Sequence, residues 1–317
     1  MKSVKRIILI SLLAIAMIPV SCTRQDKVKP TKNVILMVPD GTSTSVLSVV
    51  RWYRQHQNPQ NGTVTLATDP YLCGLVRQNC SDSPIAASPA AMTSFMTGYK
   101  AQGSNLSVYP ARNEGQDLVN VNADSTWQPL STVMEAAKIL GHKSTGLVVT
   151  VIATHATPGA TTAHTVSRSD NYNIIRQMAS NRVDVVFGGG VNYMDDDVKS
   201  ILDDNGISYI EKDVPAFRAA DKAPVWSLFS DEDMAFDLDR DTLAEPSLCE
   251  MTEKALSLLS KDKNGFFLMV EGSKVDYAAH SNDPMGVISE YDAFDKAVAV
   301  AMDFAKKDGN TTVIVVP

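Results

Sequence analysis

Mostly apolar runs of strand length recur along the chain and alternate with segments whose apolar positions repeat at helical spacing. The runs cover residues 34–38, 144–152, 183–187 and 266–270, and the helical patterns cover residues 130–140, 172–178, 246–259 and 289–306. Strands that are apolar throughout are buried on both faces, which is typical of parallel sheets covered by helices. The pattern therefore predicts an α/β fold with a mostly parallel central sheet and helices on both faces.

Polar residues with ligand chemistry follow three of the apolar runs. Asp40, His155 and Glu271 each stand at the carboxyl end of a predicted strand. Ligands of such sheets bind beyond the carboxyl ends of the strands, so we expect these side chains to converge. Residues 188–190, a glycine triplet, lack the spaced third glycine and the later acidic residue of a dinucleotide site. They predict a tight turn from strand to loop.

A carboxylate and an imidazole follow Glu271 at helical spacing. Asp276 and His280 are four residues apart, so they share one face of a predicted helix. Oxygen ligands suit Mg²⁺, and a mixed carboxylate and imidazole set suits Zn²⁺. The pattern is compatible with a metal site and also with a solvated helix face.

The amino-terminal segment has the pattern of an export signal. Basic residues within positions 1–6 precede an apolar run at residues 7–20, which is too short for a spanning helix. Residues 1–22 are therefore predicted to be a signal peptide. Cys22 fits either a lipid-modified first residue of a bacterial lipoprotein or ordinary signal cleavage, and in the first case the lipid is the contact with a membrane. Residues 23–32 are predicted to be a tether, and residues 33–317 a single domain.

Composition argues against one class of partner and leaves the redox state of the cysteines open. The net charge of −7, without a basic patch interleaved with aromatic residues, argues against nucleic acid as a partner. Cys73 and Cys80 are close enough in sequence to form a disulfide after export, and two reduced thiols are equally compatible. Cys249 would then be unpaired.

Several motifs, taken in order, resemble those of the alkaline phosphatases from Asn33 onward. Residues 33–41 look like the opening strand with its metal-binding Asp-Gly, and residues 88–98 are similar to the segment of the nucleophile. The remaining matches are residues 154–158 and 163–168, together with the Glu271, Asp276 and His280 group. The resemblance implies the alkaline phosphatase fold, small phosphate monoesters as substrates and a phosphoserine intermediate, and it leaves a homodimer open.

The resemblance implies a role for each candidate residue. Ser88 would be the nucleophile and Arg168 would hold phosphate. Asp40 would bridge Mg²⁺ and one zinc, while either His155 or Thr157, with Glu271, would complete the magnesium shell. Asp276 and His280 would bind the second zinc. Without the family, Ser88 is also compatible with a helix N-cap and Arg168 with a surface ion pair.

The sequence departs from the family pattern at two places. Ala87 occupies the position before the nucleophile, where the family usually has an acidic residue that orients the arginine. Residues 310–317 resemble the strand after which the family presents an Asp-His pair, and no such pair follows. The sequence therefore predicts a domain without the family's carboxyl-terminal strands. Its zinc sets are short of ligands, its magnesium set is nearest to complete, and little turnover is expected from the chain that ends at Pro317.

Three functions are compatible with these residues. The first is metal-dependent hydrolysis of phosphate monoesters by an exported protein. The second is a metal-binding or phosphate-binding lipoprotein without turnover, which the missing ligands favour. The third is a phosphodiesterase or sulfatase on the same fold, although Ser88 and the group of His155, Thr157 and Glu271 fit the monoesterase better.

Overall fold

A seven-stranded sheet, in the strand order β4-β5-β3-β2-β6-β1-β7, forms the centre of the protein. The structure, a computed structural model, describes residues 31–61, 64–111 and 122–317. Every pair of neighbouring strands is parallel. The strands are β1 Asn33–Pro39, β2 Ser144–Ile152, β3 Val185–Gly189, β4 Ser208–Glu211, β5 Val225–Leu228, β6 Phe266–Gly272 and β7 Thr311–Val315.

Helices cover both faces of this sheet. Successive residues of β1 point to opposite faces, so that Ile35 and Met37 belong to one buried cluster while Leu36 and Val38 belong to the other. The described α-helices are α1 Thr44–Gln57, α2 Ser88–Thr97, α3 Val133–Ile139, α4 Ala156–Gly159, α5 Asn171–Ser180, α6 Asp196–Asp204, α7 Val214–Ala219, α8 Leu248–Leu259, α9 Lys274–His280 and α10 Pro284–Asp308. Helices α1, α7, α8, α9 and α10 pack in the first cluster, and α2 to α6 pack in the second. The predicted α/β architecture is confirmed.

Short elements account for most differences from the predicted pattern. Strands β4 and β5 have four residues each, and neither was expected. The first glycines of the 188–190 triplet belong to β3 itself, and only Gly190, with a φ of 104°, makes the expected turn. A side chain at Gly189 would place its Cβ 2.0 Å from the carbonyl oxygen of Glu232, so the glycine allows the neighbouring loop to approach the strand.

The three cysteines that the structure describes form no disulfide, and the amino-terminal predictions fall outside the described residues. Cys73 is exposed, Cys80 is buried, and both are free, as is Cys249. The predicted signal peptide, Cys22 and most of the tether lie within residues 1–30, which the structure does not describe. Within the described ranges, none of the helices has the length and apolar character needed to cross a membrane.

Candidate active site

Asp40 and Glu271 meet at the carboxyl edge of the sheet because their strands are neighbours. In the parallel register Val38 lies opposite Glu271, and Pro39 lies opposite Gly272. The backbone N–H of Asp40 then donates to the carbonyl of Gly272 at 3.3 Å. Two strand ends therefore place these carboxylates side by side, as the strand-end pattern predicts.

Ser88 is the first residue of α2 and reaches the same edge. Its Oγ donates to Asp40 Oδ2 at 3.0 Å. The N-cap of α2 is Ala87, so the alternative in which Ser88 merely caps a helix is wrong. Pro89 follows at a position where helices tolerate proline. The hydroxyl is thus free to face the carboxylates.

The electrostatics of this edge are those of crowded, poorly solvated acids. Burial, with the negative charge of Asp276 beside it, raises the pKa of Asp40 to about 6. Burial and the charge of Asp40 raise the pKa of Glu271 to about 8, although the hydroxyls of Ser273 and Thr157 oppose the change. Ser273 Oγ donates to Glu271 Oε2 at 2.7 Å, whereas Oε1 is buried without a hydrogen-bond partner. Such a group of acids is stabilised by a cation.

Helix α9 brings the third carboxylate to this group. Asp276 interacts electrostatically with both Asp40 and Glu271. His280, one turn later, has its Nε2 3.5 Å from Asp276 Oδ1, and its side chain is 81% exposed. The predicted pair therefore shares one helix face, with the carboxylate turned toward the site and the imidazole open to solvent.

Gly41 allows α9 to approach the end of β1. Its φ is 67°, and a Cβ there would lie 2.7 Å from the Cα of Asp276. We expect Gly41→Ala to lower the free energy of unfolding by about 2–4 kcal/mol, because a left-handed backbone and a backbone clash both oppose the methyl group. Urea denaturation measures the loss.

Gly98→Ala is the matched control for that substitution. Gly98 also has a positive φ, of 76°, but a Cβ there meets nothing within 4 Å. We expect it to cost only about 1–2 kcal/mol, which is the backbone part alone. Equal losses in the two variants would contradict a close contact between Gly41 and Asp276.

Arg168 and His155 form a pair beside the acids. Arg168 NH2 lies 2.8 Å from His155 Nε2. Burial and the charge of Arg168 lower the pKa of His155 to about 4, so the ring is neutral near pH 7 and accepts from the guanidinium at Nε2. His155 Nδ1 is buried without a partner. With Ala87 in the place of the family's acidic residue, an imidazole is the hydrogen-bond partner of the arginine.

Three further residues belong to this environment and were not predicted. Ser273 binds Glu271 directly, and Tyr277 packs edge-on against His155 with ring centroids 5.7 Å apart. Asp233 accepts from the backbone N–H of Ile152 at 2.8 Å and from the hydroxyl of Tyr277. Burial raises the pKa of Tyr277, and the charge and hydrogen bond of Asp233 raise it further. Ser273 and Tyr277 stand beside predicted ligands in the sequence, which is a usable signal. Asp233 lies in a loop that carries no such signal.

The oxygen atoms at this edge suit Mg²⁺, which does not need a closed cage of acidic side chains. Across the described ranges, no three His, Cys, Asp or Glu side chains are gathered closely enough to hold a metal ion by themselves. Mg²⁺ is usually held by one or two carboxylates with other oxygen ligands and water. Asp40, Glu271 and the buried hydroxyl of Thr157 are a set of that kind.

A serine hydroxyl, buried carboxylates and an arginine at the carboxyl edge of a parallel sheet define the class of this α/β protein. Residues 31–317 match the family model described as alkaline phosphatase. Alkaline phosphatase 4 of Bacillus subtilis (strain 168) is 35% identical over 305 residues, which cover 93% of this chain and 62% of that protein. The chain belongs to the alkaline phosphatase family.

Solved structures agree with this assignment. The cold-active alkaline phosphatase from psychrophile Shewanella sp. matches with a TM-score of 0.79 and 29% identity, covering 89% of this chain and 67% of that one. A mutant of TAB5 alkaline phosphatase, described with Mg bound in its M3 site, matches with a TM-score of 0.74 and 30% identity, covering 90% of this chain and 77% of that one. The chain spans about 60% of the length of its first curated relatives.

Proposed function

We propose that this protein hydrolyses phosphate monoesters through a phosphorylated Ser88. The observation that carries the proposal is the 3.0 Å hydrogen bond from Ser88 Oγ to Asp40 at a sheet edge rich in buried carboxylates. The hydroxyl faces the groups that would accept its proton or hold a cation against its oxygen. Membership of the alkaline phosphatase family supports the same reaction.

The residues proposed for the metals follow from the same contacts. Asp40, Thr157 and Glu271 would hold Mg²⁺, and the unpartnered Oε1 of Glu271 supports this assignment. His155 already accepts from Arg168, which favours Thr157 over His155 as the third ligand. Asp276 and His280 would contribute to a zinc site, and Asp40 with Ser88 would contribute to another. Two such metals would lower the pKa of the serine hydroxyl and stabilise charge on the phosphoryl oxygens.

Side chains of the protein itself would bind the ester and form the covalent intermediate. Arg168, held by His155, would donate to two phosphoryl oxygens and orient the ester. Ser88 Oγ would attack phosphorus, forming the Oγ–P bond while the bond from phosphorus to the ester oxygen breaks and the alcohol leaves with a proton. Water would then attack the phosphoserine, which restores Ser88 and yields inorganic phosphate.

The test of this proposal is the intermediate itself. The protein is supplied with Zn²⁺, Mg²⁺ and p-nitrophenyl phosphate, quenched in acid during turnover and digested. We expect mass spectrometry to find one added phosphoryl group on the peptide that contains Ser88. Turnover with the phosphoryl group on another residue, or with none trapped at any quench time, would count against the mechanism.

A second candidate is a metal-binding or phosphate-binding protein without turnover. The surroundings of His280 favour this second function. The imidazole is exposed, and among the described residues Asp276 is the only acidic side chain paired with it. A catalytic zinc site normally has three protein ligands. Binding of Zn²⁺ and inorganic phosphate without release of p-nitrophenol would support this second function.

We also propose that the protein is exported. Basic residues followed by the apolar run at residues 7–20 support this location, and Cys22 is the candidate site of lipid attachment. The chemistry proposed for Ser88 does not depend on the anchor.

A further inference from the structure

His164 is held by a hydrogen-bond acceptor at each ring nitrogen. Nδ1 lies 2.8 Å from the carbonyl oxygen of Ser107, and Nε2 lies 2.9 Å from Glu135 Oε1. A carbonyl and a carboxylate can only accept, so each ring nitrogen must donate to complete both bonds. This geometry selects the doubly protonated imidazolium form of His164.

Glu135 is fixed in place by other contacts. Its Oε2 accepts from the backbone N–H of Thr132 in the capping box of α3, and its Oε1 also accepts from Asn181, the residue that follows α5. The backbone N–H and carbonyl of His164 both bind the side chain of Gln177 on α5. Among the described residues, Glu135 is the charged group that faces the ring, and α5 and the loop at Ser107 present neutral groups.

The same junction connects the helix of Ser88 with the segment that leads to Arg168. Ser107 donates its N–H to Thr93 of α2 at 2.9 Å and its hydroxyl to the carbonyl of Ala160 at 2.6 Å. Leu106, beside it, pairs with Thr165 through two backbone hydrogen bonds. Ser107 is fully buried with a φ of 42°, a conformation that a non-glycine residue adopts only when its surroundings enforce it. Its carbonyl is thereby available to His164.

We propose that His164 is a positioning residue, which as an imidazolium paired with Glu135 holds the segment of Arg168 in register with helix α2. The role of Arg168 in this inference rests on the proposed function, whereas the pairing of His164 with Glu135 does not. His164 touches no proposed metal ligand and lies outside the group of acids around Asp40.

The stabilisation that each residue of this pair contributes changes with pH in a defined direction. Burial acts to lower the pKa of His164, but the hydrogen bonds to Glu135 and Ser107 outweigh it and raise that pKa above the ordinary value. Burial acts to raise the pKa of Glu135, and the hydrogen bonds from His164 and Thr132 lower it instead. The stabilisation from His164 is therefore complete below its ordinary pKa and is lost as the pH rises through the raised one. The stabilisation from Glu135 is lost as the pH falls through its lowered pKa.

The first arm of the test measures the pairing in the whole chain without any activity. NMR titration of the histidine ring protons, assigned by the loss of one signal in His164→Gln, gives the midpoint for His164. We expect that midpoint above the ordinary histidine value, and about one unit or more lower in Glu135→Gln, where glutamine still completes the capping box. His56→Gln, at an exposed histidine, is the control for the substitution. An unchanged midpoint in Glu135→Gln would overturn the pairing.

The second arm measures positioning with inorganic phosphate as the probe. In the presence of Zn²⁺ and Mg²⁺, we expect the wild-type protein to bind phosphate about tenfold more tightly than His164→Gln below the midpoint, with the ratio approaching one above it. A ratio that is the same at every pH would mean a purely structural role and would overturn the inference. Absence of phosphate binding by the wild-type protein would overturn the proposed function and the positioning role together, while the titration would still decide the pairing.

Discussion

Replacement of Ser88 by alanine is expected to remove nearly all hydrolysis of p-nitrophenyl phosphate in a form of this protein that turns it over. The Oγ of Ser88 is the hydroxyl that donates to Asp40, and alanine leaves no oxygen to form the bond to phosphorus. Loss of a nucleophile from an enzyme typically lowers kcat by about a thousandfold or more. The measurement is the steady-state release of p-nitrophenol at alkaline pH with Zn²⁺ and Mg²⁺ present.

Ser83→Ala is the matched control, because Ser83, unlike Ser88, directly follows an acidic residue, Asp82, and could be mistaken for the nucleophile. Ser83 is exposed, and its Oγ accepts from the backbone N–H of Ile85 at 3.3 Å. We expect its kcat to stay within about twofold of the wild-type value, as for a surface substitution remote from the reaction. If Ser83→Ala abolishes turnover and Ser88→Ala does not, the nucleophile is Ser83.

Replacement of Glu271 by glutamine is expected to remove stabilisation of the protein by Mg²⁺ and to make the metal-free protein more stable at alkaline pH. Glu271 is fully buried, and its pKa is raised to about 8. Without metal, the free energy of unfolding therefore falls as the pH rises from the ordinary pKa of a glutamate through the raised pKa of Glu271. Glutamine has no charge to bury. In the wild-type protein, Mg²⁺ at about a hundred times its dissociation constant adds about 2.7 kcal/mol to the free energy of unfolding.

The measurement is thermal unfolding at pH 6 and pH 9, with a chelator and with added Mg²⁺. Glu290→Gln is the matched control, since burial also raises the pKa of Glu290, to about 7, at a place that holds no proposed ligand. We expect Glu290→Gln to keep the full response to Mg²⁺ and Glu271→Gln to lose it. Equal responses in both variants would exclude Glu271 from the magnesium site.

The sheet could be predicted from the sequence where its strands are long and buried on both faces. β1, β2 and β6 are mostly apolar and buried over nearly their whole length, and their predicted positions agree with the structure to within a few residues. β4 has only four residues, none of them buried, so it carries no apolar run to detect. Helix α1 has one buried residue, Val50, and its weak apolar stripe explains why it was not predicted.

The candidate site could be predicted as a set of strand ends and not as a network of contacts. Asp40 and Glu271 follow from the rule that parallel strands place their carboxyl ends at one edge. The pairing of Arg168 with His155 could not be predicted, because it depends on how a loop and a strand end fold together over distances that spacing does not encode. The same holds for Asp233, which reaches the site from a loop between β5 and α8.

The two edges of the sheet differ in their readiness to recruit another strand. β4 is short and flanked by charge, with Glu211 in contact with Lys199. β7 is composed of Thr311, Thr312, Val313, Ile314 and Val315, contains no charged side chain and no buried residue, and among the described residues pairs only with β1. Uncharged β-branched edges are templates for intermolecular strand pairing. Of the two edge strands that the structure describes, β7 is therefore the one that is open to pairing with a further strand, and a lysine on it would discourage that pairing.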